Sequence, residues 1–301
     1  MTIAELTFRV GSHINELLYE SALRDDGGSY PGIMRTRCGG VARNHADALT
    51  RLGCQTTLVS AIGTDSYGET LLSMCSHMDM SHVLRVSGVQ TATYLSVALK
   101  GNVLHGITAI EPMISRLTPD VIKSKEDIIS DSDAVMVDGN LPTESLKLAI
   151  RLAHKHGKFI WFDPADQSKV FKIFEAECFN LINAISPNAN EFLKFTNLHS
   201  EAEFPEALTT VAETKGPDGV TWWHRKGSKF QKIEKKSPID PRNVVSVSGA
   251  GDCLNSGYMA ALLSGLPVEK CHEVADACAR FSLLSMESVP SSITPDCLGN
   301  A

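Results

Sequence analysis

Val245-Ser246-Val247-Ser248-Gly249-Ala250-Gly251-Asp252-Cys253-Leu254-Asn255-Ser256-Gly257 joins a β-branched run to a Gly-Ala-Gly turn, and the turn to a helix. Leu254, Tyr258, Ala261 and Leu262 fall on one face of that helix. A strand-like run that turns sharply into a helix leaves several backbone N–H groups unbonded at one point, beside the positive helix end. Such a point favours an anion or a developing negative charge. Asp252, at the helix start, has two readings. It is a capping carboxylate, or a base that takes a proton from a hydroxyl attacking a phosphoryl group. The spacing alone leaves both open.

Three other segments also open a helix or close a strand. Cys38-Gly39-Gly40-Val41-Ala42-Arg43-Asn44-His45-Ala46 runs into a helix whose apolar positions 41, 42, 46, 49 and 52 share a face. Gly39 and Gly40 allow a backbone to approach a ligand closely, and Asn44 offers a polyhydroxylated ligand a donor and an acceptor. A plain turn before a helix is the other reading. In Ser186-Pro187-Asn188-Ala189-Asn190-Glu191, residues 188 and 191 share a helical side. Glu191 suits Mg²⁺, which takes carboxylate and water oxygens, but Asn-x-x-Glu is equally a capping-box pattern. In Thr214-Lys215-Gly216-Pro217-Asp218-Gly219-Val220, Thr214 and Gly216 stand where a strand should end, within reach of a nucleotide phosphate. A Pro-Asp-Gly turn before Val220-Thr221-Trp222-Trp223-His224 is the plainer reading.

Short apolar runs alternate with amphipathic stretches in the manner of β–α units. Residues 55–63, 133–140, 158–164 and 181–188 read as strands, and a helix is expected from about Thr143 to His156. In open parallel sheets, ligands sit at the carboxyl ends of such strands. Residues 91–110 differ: two β-rich runs flank Gly101-Asn102, a hairpin signal. A hairpin outside the main sheet is a candidate lid.

The 301 residues include 28 Lys+Arg and 35 Asp+Glu, a net charge of −7. That balance argues against nucleic acid as a partner, which requires a basic face. It leaves room for a small phosphorylated ligand held by backbone amides. Eight cysteines, none in a CxxC pair or zinc spacing, read as reduced thiols. With no signal-peptide-like start and no run of about 20 apolar residues, a cytoplasmic location without membrane is expected. No Gly-x-Gly-x-x-Gly follows a first strand, which argues against a dinucleotide oxidoreductase.

In this order and spacing the segments resemble the ribokinase-like (PfkB) carbohydrate and nucleoside kinases. The resemblance runs from about Tyr30 to the C-terminus. Gly39-Gly40…Asn44-His45-Ala46 is similar to the family's N-terminal signature, Gly63-x-Asp65-x-x-Gly68 to the motif after it, Asn188-x-x-Glu191 to its magnesium motif, and Ser246 to Gly257 to its C-terminal signature. Ser29-Tyr30-Pro31-Gly32 leading into Arg37 to Asn44, then Asp138-Gly139-Asn140-Leu141-Pro142 and Phe162-Asp163-Pro164, look most like the pseudouridine kinases.

The resemblance implies a single domain over residues 1–301, with a three-layer α/β/α fold, a mainly parallel central sheet and a small β lid from about 27–38 and 89–110. It implies transfer of the γ-phosphate of ATP to the 5′-hydroxyl of a ribosyl nucleoside, pseudouridine first, with another sugar or a weak nucleotide-binding relative as alternatives. Asp252 would be the catalytic base, and Gly249, Ala250 and Gly251 the anion hole. Gly39, Gly40, Asn44 and Asn140 would face the sugar; Asn188, Thr214, Gly216 and Gly219 would lie by the nucleotide; Glu191 and Asn188 would organise Mg²⁺. A monovalent cation such as K⁺, a homodimer through the lid and a functional link to a pseudouridine-5′-phosphate glycosidase are further implications. Three departures stand out. No apolar first strand or sugar-binding Asp is visible in the first 25 residues, where Asn15 is the nearest polar candidate. Thr209 to Glu213 makes a poor strand. Ser246 stands where many members place an Asp that supports the monovalent cation.

Overall fold

The computed structural model describes residues 5–8, 12–19, 33–99, 102–198 and 204–299. Its strands are β1 (Glu5–Phe8), β2 (Ser12–Tyr19), β3 (Ile33–Gly39), β4 (Thr56–Gly63), β5 (Val83–Val86), β6 (Thr93–Leu99), β7 (Asn102–Ala109), β8 (Ala134–Asp138), β9 (Phe159–Asp163), β10 (Ala184–Ile185), β11 (Thr210–Thr214), β12 (Val220–Lys226) and β13 (Lys229–Lys235). The longer helices are α1 (Val41–Arg51), α2 (Ser66–Met74), α3 (Thr143–Lys155), α4 (Ala189–Leu198), α5 (Ala250–Leu263) and α6 (Val268–Leu283).

Nine strands form one sheet in the order β13-β12-β11-β10-β9-β8-β1-β4-β5. Pairing is parallel from β5 to β11, and β12 and β13 add an antiparallel edge. Strands buried on both faces read as continuous apolar runs, which is why 133–138 and 158–163 are legible in sequence. Alternate residues serve opposite layers. Val135, Val137, Ile160 and Phe162 pack with Leu146, Ala149 and Ile150 of α3. Ala134, Met136 and Trp161 pack with Tyr258 and Met259 of α5 and Val274 and Cys278 of α6. The expected three-layer fold with a mainly parallel sheet is therefore present.

Two expectations are overturned. A first strand exists: β1 lies inside the sheet, parallel to β4 on one side and β8 on the other. β11 also forms, parallel to β10 and antiparallel to β12. Glu213, the residue that argued against it, accepts a hydrogen bond from Trp223 Nε1 at 3.2 Å and lies 3.8 Å from Lys215 Nζ.

A second sheet has the order β3-β2-β6-β7. β6 and β7 are the hairpin expected around Gly101-Asn102. β2 is an addition to the segments foreseen for this sheet; it carries Asn15, paired with Thr36 and Leu95. Residues 27–32 of the expected lid lie outside the described residues. Arg37, on β3, ties the second sheet to the C-terminal part of the chain: Nη1 donates to Ser246 Oγ at 3.1 Å and to the Met286 carbonyl at 2.7 Å.

All eight cysteines are buried and none is in a disulfide. On the α5–α6 side of the sheet, Trp222 stacks on Tyr258 with ring centroids 4.5 Å apart. Beside them the buried rings of His224 and His272 meet Nε2 to Nε2 at 2.9 Å. One of the two nitrogens must donate and the other accept, so the pair suits neutral rings. Burial pulls both down from 6.5 to about 4. Because the folded values lie below the unfolded ones, the unfolded chain binds more protons between pH 6.5 and 4. The pair's contribution is thus full above pH 6.5 and lost as pH falls towards 4. Glu191 and Asp276, pushed up by burial, act in the opposite sense. A His224→Gln/His272→Gln variant keeps those carboxyls and isolates the pair. Its melting temperature should fall less between pH 7 and 5 than that of the parent protein, as read by thermal denaturation.

Candidate active site

β3 ends at Gly39, and Gly40 turns the chain into α1 with φ 105°. The first turn of α1 carries Arg43, Asn44 and His45, all buried. Arg43 holds this turn: it donates to the Cys38 carbonyl at 2.6 Å, to Asp47 at 2.8 Å and to Asn44 Oδ1. With its oxygen occupied, Asn44 directs Nδ2 at Asp252 Oδ2, 2.5 Å away. Two motifs 208 residues apart in the chain are thereby joined.

Gly249 is the N-cap of α5, in the left-handed region with φ 86°. A Cβ there would come within 2.3 Å of the Ser288 carbonyl, so the turn requires glycine. The first intrahelical bond runs from the Cys253 amide to the Gly249 carbonyl. The Gly251 and Asp252 amides therefore precede the helical ladder and face its open end. Gly251 has open space where a Cβ would stand.

The carboxyl ends of β8 and β9 complete the site. Asp138 and Asp163 are paired in register. Asp138 Oδ1 accepts from the backbone and side-chain nitrogens of Asn140, and Lys169 Nζ donates to Asn140 Oδ1 at 2.6 Å. Asp163 Oδ2 accepts from Ser186 Oγ at 2.9 Å and Asn255 Nδ2 at 3.3 Å. His45 Nε2 lies 3.7 Å from Asp163 Oδ2 and 3.9 Å from Asp252 Oδ1. Asp163 and His45 carried no role in the sequence reading, because only the folded chain brings residues 45, 163 and 252 together.

Asn188 and Glu191 form a reciprocal capping box. Asn188 Oδ1 accepts from the Asn190 and Glu191 amides, and Glu191 Oε2 accepts from the Asn188 amide at 2.7 Å. Glu191 is buried, and burial together with the charges of Asp163 and Asp166 pushes it up to about 7. A carboxyl whose ionisation is opposed in this way is one that a hard cation would stabilise, so the donor set fits Mg²⁺. Gly63-x-Asp65-x-x-Gly68 is architectural: Asp65 caps α2 through the Gly68 amide and accepts from the Thr91 amide.

A cleft of about 500 Å³ lies on the other side of the α5 N-terminus. Asn188, Thr214, Gly216 and Gly219 all line it, together with Ala250 and Gly251. Val247 of the same C-terminal signature also lines it, while its remaining walls, among them Pro238 and Val244, and Asp276 and Ala279 of α6, carry no motif legible in sequence. Ser246, at one margin of the turn, accepts the Arg37 guanidinium, so the positive charge beside it is supplied by the chain itself.

The family model of the pfkB carbohydrate kinases matches residues 9–295. The chain belongs to this family. Among curated relatives, this pfkB kinase is 24% identical to a pseudouridine kinase of Arabidopsis thaliana over 90% of its own length and 88% of the relative's. It is 27% identical to a ribokinase of Haemophilus influenzae, over 84% of each chain. Its fold superposes on the structure of Arabidopsis thaliana ribokinase complexed with ribose and ATP with a TM-score of 0.76, at 16% identity and covering 99% of each chain. It is thus a nucleoside or sugar kinase of the ribokinase family. Among the described residues, no helix is long and apolar enough to cross a membrane.

Proposed function

We propose that this kinase transfers the γ-phosphoryl group of ATP to the 5′-hydroxyl of a ribosyl nucleoside, pseudouridine above others. The observation that carries the reading is the position of Asp252. It stands at the open end of α5, between a cleft lined by the nucleotide motifs and the Asn44 side chain of the sugar motif. Kinases of this family use ATP, typically with Mg²⁺. The relative named a pseudouridine kinase, matched over nine-tenths of this chain, supports the substrate.

The chemistry follows from the placement. Asn44 and the Gly39-Gly40 turn hold the sugar, with Asn140 at the neighbouring strand end. The Asp252 carboxylate accepts the proton of the 5′-hydroxyl as that oxygen forms its bond to the γ-phosphorus and the bond to ADP breaks. The Gly249, Ala250 and Gly251 turn and the α5 N-terminus stabilise the charge on the transferring group; such transfer depends on positioning and electrostatics. Glu191 would hold Mg²⁺, directly or through water, and the ion would neutralise phosphate charge. Asn188 contributes by fixing the start of α4. The second sheet serves as a lid that excludes water. Its exposed Ile33, Met34 and Ile107 support a homodimer through this face.

An ADP-release assay with ATP, Mg²⁺ and a panel of pseudouridine, uridine, ribose, adenosine and fructose tests the reading. Pseudouridine is expected to give the highest kcat/KM. Preference for ribose, to which the name of the ribokinase relative points, would keep the mechanism and replace the substrate. No turnover with any member by a folded, ATP-binding protein would refute the proposal.

A further inference from the structure

His45 sits between the two carboxylates nearest the proposed reaction, and the hydrogen bonds around it determine where its protons are. Ser256 Oγ donates its single proton to the Asp252 carbonyl at 2.8 Å. The same oxygen lies 2.9 Å from His45 Nδ1, and having spent its proton it can only accept there. Nδ1 therefore carries a hydrogen. In a neutral ring Nε2 would then present a lone pair to Asp163 Oδ2 at 3.7 Å and Asp252 Oδ1 at 3.9 Å. The ring is 1% exposed and the Asp163 and Asp252 side chains 12% and 13%, so water screens that repulsion only weakly. A second proton on Nε2 turns the repulsion into attraction.

We propose that His45 is held as an imidazolium and is the positioning residue of the base: its charge keeps Asp252 ionised although Asp163 lies close by. The role in turnover rests on the kinase reading above; the protonation state does not.

The surrounding charges allow this. On α1, Arg43 is committed to Asp47, the Cys38 carbonyl and Asn44, and Asp47 is shared by Arg43, Arg51 and His77. From α5 come Asp252 and the buried Cys253 thiol, which burial pushes up and so keeps neutral. β9 supplies Asp163; β8 ends in Asp138, whose Oδ1 is taken by Asn140. β4 has no ionisable residue, and the Glu5 of β1 pairs at the opposite end of the sheet, beside Ala134. Glu191 of α4 is opposed by the Asp163 charge, so it adds further negative potential where ionised. Cationic charge from Arg43 is thus matched by Asp47, and His45 is left facing carboxylates.

Two measurements on the full chain test this. Ring ¹⁵N chemical shifts of histidine-labelled protein, with the His45 signals assigned by their loss in His45→Gln, should show an imidazolium at pH 7 that titrates well above the ordinary 6.5. In Asp252→Asn the same signals should titrate at lower pH. A ring neutral at pH 7, or one whose signals move on adding Zn²⁺ or Mg²⁺ alone because it is a ligand, overturns the proposal whether or not the protein is active. The second readout is the pH profile of kcat/KM. An opposite charge at this range holds a carboxylate down by about one pH unit or more. His45→Gln, which keeps a neutral donor, should therefore move the acid limb up by at least about one unit, about a tenfold loss relative to the parent protein at pH values on the limb. An unmoved limb in a folded variant refutes the positioning role. Should His45→Gln not fold, Ser256→Ala removes the acceptor of Nδ1–H and is expected to shift both readouts in the same direction. Absence of turnover in the parent protein would sink the kinase reading while the ring shifts still decide the protonation state.

Discussion

Asp252→Asn is expected to lower kcat by about 10²–10⁴-fold, the range general-base catalysis contributes, with KM for ATP little changed. The substitution is isosteric, and the Asn44 amide that donates to Oδ2 at 2.5 Å finds a carbonyl oxygen in the same place. The new amide group faces the His45 side, where Asp252 Oδ1 stood 3.9 Å from Nε2. What disappears is the carboxylate proposed to accept the hydroxyl proton as the P–O bond forms. Steady-state ADP release, set beside ATP binding by calorimetry, separates the chemical step from binding. A variant within threefold of the parent kcat would mean that the proton leaves by another route.

The second large effect is expected at Gly249. Its φ of 86° is open to glycine at little cost, and a methyl group would meet the Ser288 carbonyl at 2.3 Å. Gly249→Ala has to relieve both the left-handed conformation, worth about 1–2 kcal/mol, and the contact. The turn can do so only by moving, and the amides proposed to face the transferring phosphoryl move with it. Loss of one well-placed donor costs about 10²–10³ in kcat, so a fall of that order together with a lower melting temperature is expected. Gly251→Ala is the comparison. Its Cβ meets nothing within 4 Å, so the fold should be retained. Because Gly251 lines the cleft, the effect should appear in KM for ATP. Equal behaviour of the two variants, in kinetics and in thermal denaturation, would contradict this division.

The parts legible in the sequence are those in which local pattern and global environment agree. β8 and β9 carry Val, Ile, Trp and Phe on both faces because both faces are covered, and apolar runs of that kind announce themselves. The turn before α5 was readable because glycine there has no substitute. β1 was not readable: Glu-Leu-Thr-Phe is four residues long, and its place in the sheet is defined by backbone pairing to two neighbours rather than by a hydrophobic run. β11 was obscured by Glu213, whose carboxylate lies near Lys215 two residues on and accepts from Trp223 Nε1, a donor that only the pairing with β12 brings near. Asn-x-x-Glu had two readings; the capping box is formed, while the buried carboxyl keeps the cation reading open to experiment. The association of His45 with Asp163 and Asp252 leaves no trace in spacing, because it arises from three elements meeting at one edge of the sheet.

The Arg37 contacts have a consequence for how the protein is made. The guanidinium of a residue near the N-terminus closes on Ser246 and on the Met286 carbonyl, 209 and 249 positions later. During synthesis β3 leaves the ribosome long before either partner exists. Domains assemble from the N-terminus as the chain emerges, at about 5–20 residues per second, so the second sheet waits on the order of ten seconds or more for its anchor. Over that interval Ile33 and Met34 are exposed on an unanchored strand, and the nascent chain is open to chaperones and to aggregation at this segment. Completion of the segment up to Met286 is what anchors the second sheet, so a polypeptide released early would leave it without its fastening.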